Sequence, residues 1–126
     1  MVMSTHQDGQ TTQTAPWLSA ELVANIESDA ALRALLAPVH RWLNTLSVRN
    51  HSPHTLTAYF AGLNQLALFL RGKRLTWTRC DKRQLAQHIS QRLDEDKLAL
   101  ASVQQELSAI RHFYGWLIEE ELARIN

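Results

Sequence analysis

Apolar residues recur at intervals of three and four through most of the chain, and no stretch shows sustained period-two alternation of β-branched residues. That pattern predicts helices and no sheet. Leu18, Leu22, Val23 and Ile26 outline a short amphipathic helix. A second begins near Asp29, with Leu32, Leu35, Leu36, Val39, Trp42, Leu43 and Leu46 on one face. Pro38 falls inside this run, so the helix is expected either to kink there or to restart with proline in its first turn. Ser52-Pro53 is a start signal, serine as N-cap and proline at the first helical position. Leu56, Tyr59, Phe60, Leu63, Leu66, Ala67 and Leu70 continue its apolar face, and Gly72 is the predicted stop.

Beyond a connector carrying Trp77, Asp81 caps a third core helix with Leu85, Ile89 and Leu93 inward. The polar turn Asp94–Lys97 leads to a last helix, capped at Ser102 or holding it in the first turn. Its inward residues are Val103, Leu107, Ile110, Phe113, Tyr114 and Leu117. Residues 1–16, rich in Gln, Thr and Ser without periodicity, are predicted to be disordered. Residues 17–126 then form one all-α domain of four core helices and an extra short N-terminal helix.

Composition fits that reading. Hydrophobic residues make up 45% of the chain and include four Trp, whereas Gly (4) and Pro (3) are scarce. No apolar run approaches the roughly 18 residues of a membrane span, and the first residues lack the basic and apolar blocks of a secretory signal. Cys80 is alone, which excludes an internal disulfide and a cysteine-based metal cluster. A cytoplasmic location is the expectation, with no membrane partner.

Net charge is only +1, but its distribution is uneven. Between Arg49 and Arg92 eight basic residues stand against Asp81 alone. Acids collect near the N-terminus, at Asp94–Asp96 and at Glu119–Glu121. Such asymmetry suits a phosphate-facing surface; it is equally the charge of solvated helix faces.

Catalytic chemistry has little to stand on. The six histidines are dispersed, with no HExxH or other i, i+4 ligand pair, and no glycine-rich phosphate loop is present. Tyr59 and Tyr114 fall on apolar faces and read as core, not nucleophiles. No catalytic residue, metal ligand or cofactor site is assigned. The polar helix exteriors are more informative. At 100° per residue the last helix presents Gln104, Gln105, Ser108, Arg111, His112 and Gly115 away from its core face. These side chains suit base edges and phosphates. The Ser52-capped helix presents His54, Thr57, Ala58, Ala61 and Gln65, and its N-terminus offers unsatisfied N–H groups to an anion.

Two stretches resemble a known family. Leu46-Ser-Val-Arg-Asn-His-Ser-Pro-His-Thr-Leu-Thr-Ala-Tyr59 is similar to the SPxT…Y segment opening the second core helix of Xer-type tyrosine recombinases. Leu107-Ser-Ala-Ile-Arg-His-Phe-Tyr-Gly-Trp-Leu117 is similar to their LSAxRxFYxxL segment, and Trp77–Asp81 to the connector of the XerC branch. The resemblance spans about residues 32–126 in order and spacing. It implies a SAM-like core-binding domain that forms a clamp around duplex DNA with a separate catalytic domain. The second and fourth core helices would approach the major groove. Ser52, Thr55 and Arg111 would then touch phosphates, His54, Gln105 and His112 bases, and Thr57, Ser102 and Ser108 would complete the DNA-facing set.

The implied partners are a double-stranded recombination site, a sister recombinase in a synaptic tetramer, and the chain's own C-terminal catalytic domain; the implied role is chromosome dimer resolution. The family's catalytic residues belong to that following domain, and no HxxR occurs here. The ending at Asn126 is expected to be a domain boundary. Gln105 and Glu106 stand where relatives carry arginines, which predicts weaker phosphate neutralisation. Two other readings were open. A helical adaptor would need an exposed apolar patch, with Trp17, Leu68 and Trp116 as candidates. A helix-turn-helix regulator would need a tighter turn than Gly72–Cys80.

Overall fold

The computed structural model describes residues 17–125, with side chains through 121; the predicted disordered tail lies outside the described residues. Five α-helices follow one another: α1 (Ala20–Glu27), α2 (Ala30–Val48), α3 (Pro53–Lys73), α4 (Lys82–Asp94) and α5 (Leu100–Ile125). A 3₁₀ turn, Trp77–Arg79, sits between α3 and α4, and the described residues contain no strand.

Short polar side chains start four of these helices by accepting otherwise orphaned N–H groups. Ser19 accepts from Leu22, Asp29 from Leu32, and Ser52 from Thr55. Asp81 and Gln84 form a reciprocal capping box. The last helix has no such start. It begins at Leu100, with the Ala99 carbonyl accepting from Val103, so Ser102 is a first-turn residue and not the cap.

Two stops differ from the glycine-based expectation. Gly72 stays helical inside α3, and Arg74, at φ 59°, takes the left-handed conformation instead. The Leu75 N–H returns to the Leu70 carbonyl and the Arg74 N–H to Arg71, which completes a Schellman turn. Asn50, at φ 68°, does the same for α2, with His51 N–H bonded to Leu46 and Asn50 N–H to Ser47. Non-glycine residues carry a cost in this region, so both turns are held by their neighbours.

The core sits on α3. Leu56, Phe60, Leu63, Leu66, Ala67 and Leu70 are essentially sealed against Leu36, Val39 and Leu43 of α2 and Ile110 and Phe113 of α5. Each large apolar side chain buried there contributes about 1.5–3 kcal/mol relative to exposure. Pro38 lies within one continuous α2, with no restart. It cannot donate to the carbonyl of Ala34. The neighbouring Leu35 carbonyl receives the buried Trp77 indole N–H at 2.7 Å. The Trp77 carbonyl in turn accepts the Tyr114 hydroxyl at 2.6 Å, and its ring meets Phe113 edge-on at 4.9 Å. One tryptophan thus fixes the connector to α2 and α5.

Trp17 is buried too, donating its indole N–H to His40 Nδ1 at 2.9 Å and stacking on that ring. It therefore leaves the apolar patch proposed for an adaptor, and Leu68 and Trp116 are half-buried against the core. On the far side, α4 buries one residue only, His88. Leu85, Ile89 and Leu93 are half-buried there. α4 is tied to α5 by Arg92, which forks onto Glu106 at 3.0 and 2.5 Å and also reaches Asp96 at 2.9 Å. These carboxylates hold the Arg92 guanidinium above its ordinary pKa.

Candidate nucleic-acid interface

Where α3 and α5 cross, Gly62 faces Glu106. A Cβ there would lie 3.1 Å from Glu106 Cγ and 3.3 Å from its Cα, so the missing side chain lets the two backbones approach. This crossing brings His54, Thr55, Ala58 and Tyr59 of α3 beside Gln105 and Ser108 of α5 around one depression of about 360 Å³. None of these six side chains is acidic. At its edge the Ser52 hydroxyl accepts the Thr55 N–H at 3.1 Å and lies 2.9 Å from the Thr55 hydroxyl. The N-cap geometry thus fixes both hydroxyls.

A second hollow, about 420 Å³, adjoins the first and shares Tyr59 with it. Arg49 and His51 reach it from the α2–α3 turn, and Arg111, His112 and Glu119 from α5. Tyr59 is half-buried and lies flat on Trp42 at 5.5 Å, with the His112 ring tilted against it at 6.5 Å. The tyrosine assigned to the core from periodicity is thus an element of the surface as well. Tyr114 does pack inward, and burial raises the pKa of its hydroxyl well above the ordinary phenol value.

Six of the nine predicted contact residues line these two hollows: His54, Thr55, Gln105, Ser108, Arg111 and His112. Ser52 caps the helix beside them. Thr57 and Ser102 are exposed but line neither hollow.

The charge count also changes. Arg71 pairs with Asp29, whose carboxyl is held below its ordinary pKa by the Leu32 N–H and the guanidinium, and Arg92 is spent on α5. Two of the eight cations in the basic stretch are therefore paired with carboxylates of the chain itself. Glu106, expected to weaken phosphate contact, is turned away from the hollows toward Arg92. Arg111 makes no ion pair with Glu119 among the described residues, although both line the same hollow.

Sequence reasoning missed Arg49 and His51 as site residues and assigned Tyr59 elsewhere. Their one available signal was position: a basic residue and an imidazole directly before the Ser52 cap, and Tyr59 one turn after Thr55. Among the described residues no three His, Cys, Asp or Glu side chains gather to hold a metal ion, and no helix is long and apolar enough to cross a membrane.

A family model described as the phage integrase, N-terminal SAM-like domain, matches residues 39–121. The match runs from the middle of α2 into the later turns of α5. No curated protein and no solved structure matches the chain.

Proposed function

Because the chain belongs to the phage integrase N-terminal SAM-like domain family, a non-catalytic DNA-binding module of tyrosine recombinases, we propose that it grips a recombination half-site through the paired exteriors of α3 and α5. In this reading both helices address the major groove. Arg111, Ser52 and Thr55 contact phosphates, while His54, Gln105 and His112 read base edges. Ser108, Thr57 and Ser102 lie in support. The parent protein would be a Xer-type recombinase acting in a synaptic tetramer with a sister recombinase, its catalytic domain following this one.

One observation carries the reading. The two helices surround a carboxylate-free depression with donors and acceptors from both, while Glu106, next to Gln105 on α5, is turned onto Arg92. A polar surface free of acids is what a polyanion requires. Arg111 lines the adjoining hollow as an exposed cation whose aliphatic stem can lie on the domain while the guanidinium reaches out.

The test is duplex binding by electrophoretic mobility at several salt concentrations. About four to six neutralised phosphates give a slope of log K against log salt on the order of −4 to −5. Arg111→Ala weakens cognate and scrambled duplexes alike. Gln105→Ala and His112→Ala reduce discrimination between them by ~1–3 kcal/mol. Salt-independent association, or none at low salt, overturns the reading in favour of a protein-binding adaptor.

A further inference from the structure

We infer that the hollow beside the α2–α3 turn is a seat for a single phosphate group, clamped between Arg49 and Arg111 and flanked by His51 and His112. This deepens the DNA-binding reading and rests on it for the phosphodiester as natural occupant. It adds two residues, Arg49 and His51, from an element outside the paired helices.

The geometry supports a built seat. Arg49 and Arg111 come from separate elements, line the same hollow, and neither makes an ion pair among the described residues. Two arginines lining one hollow, with no carboxylate paired to either among the described residues, suit a tetrahedral oxyanion. The turn that carries Arg49 is tied back: Asn50 takes the left-handed conformation, and His51 bonds the Leu46 carbonyl twice, through its N–H and through ring Nδ1, each at 3.1 Å. A carbonyl only accepts, so Nδ1 of His51 carries the hydrogen.

The charged and titratable groups around this ring are Arg49 on its own turn, Tyr59 on α3, and Arg111, His112 and Glu119 on α5. Glu119 is the one carboxylate lining the hollow, and it opposes an anion. The seat is therefore weakened by its own wall, which gives the proposal a variant of opposite sign.

Two arms test it. In the first, inorganic phosphate is titrated into the protein while the ring signals of His51 and His112 are followed by NMR. Both shift in the unaltered chain and stay fixed in Arg49→Ala. In the second, duplex binding is measured. Arg49→Ala weakens it about tenfold for any sequence, the loss of one charge-assisted contact, and lowers the salt slope by about one. Glu119→Gln tightens it about threefold at low salt, a gain that misfolding cannot mimic. Phosphate-induced shifts without duplex binding leave the seat standing and remove the DNA reading. Duplex binding unchanged by Arg49→Ala and Glu119→Gln, with no phosphate shifts, overturns the seat alone.

Discussion

The α2–α3 interface and the seat of α4 on α5 hold helices by different chemistry. Between α2 and α3 the contact is aliphatic and sealed, with Leu36, Val39, Leu43, Leu63 and Leu66 at 0% exposure. α4 instead offers half-buried leucine and isoleucine, a buried imidazole, and an arginine forked onto Glu106. The buried imidazole is itself incompletely matched, since His88 Nε2 has no partner among the described residues. Burying apolar area is non-directional and tolerant, whereas an ion pair repays its desolvation only while its geometry holds. The comparison teaches that α4 is the conditional element of the bundle. Its attachment rests on a charged fork, whereas that of α2 to α3 rests chiefly on apolar burial.

The largest expected effects test this contrast directly. Leu43→Ala should cost about 3–5 kcal/mol in denaturant unfolding, with protection lost throughout the bundle by hydrogen exchange. Arg92→Ala should cost about 3 kcal/mol by stranding Glu106, with exchange accelerating first in α4. Replacing both Arg92 and Glu106 by Met should recover most of that loss. Global, equal protection loss in both single variants would erase the distinction between the two regions.

A smaller effect concerns acid. Burial holds the pKa of His88, and likewise of His40, below the ordinary 6.5. The folded state therefore binds fewer protons than the unfolded state. Their contribution to stability is complete above pH 6.5 and is lost as pH falls below it toward the folded-state values. His88→Leu should reduce that slope in urea unfolding between pH 7 and 5, and His40→Leu should do the same while releasing Trp17 fluorescence. An unchanged slope in both would show that neither burial persists in solution.

The smallest is a gain. Arg74→Gly removes the side chain from a left-handed position and should stabilise the domain by about 1 kcal/mol, read as a raised denaturation midpoint. Because this turn caps α3 on the sealed side of the bundle, α4 exchange should be unaffected. A destabilised variant would mean that the Arg74 side chain makes a contribution larger than its strain.

The helices were legible because burial is periodic and their starts are local. Ser52, Asp29 and Asp81 each act within three residues, so the caps could be read along the chain. What joined distant residues was not. Nothing near Arg92 announces Glu106, and an exposed-looking acidic residue beside Gln105 gave no sign of facing another helix. Gly72 had the right residue type for a stop, but α3 continued to Lys73 and the stop fell on arginine, because the Leu75–Leu70 closure outweighs local preference. Of the interface, the exposed edges of α3 and α5 followed from 100° projection. Their meeting in one depression did not, nor did the part played by Arg49 and His51, whose placement depends on the left-handed Asn50.

Gly62 has a consequence beyond close packing. With no Cβ to separate the helices, the backbones of α3 and α5 act as a fixed gauge near the middle of the bundle. His54 lies eight residues upstream, about 12 Å along the α3 axis. A methyl group at position 62 would push at Glu106 by a few tenths of an ångström. Any rotation that relieves it would be amplified along that arm before it reached His54. Gly62 thus sets the pitch at which two rows of side chains are presented, much as the spacing of a comb is set at its spine and used at its teeth.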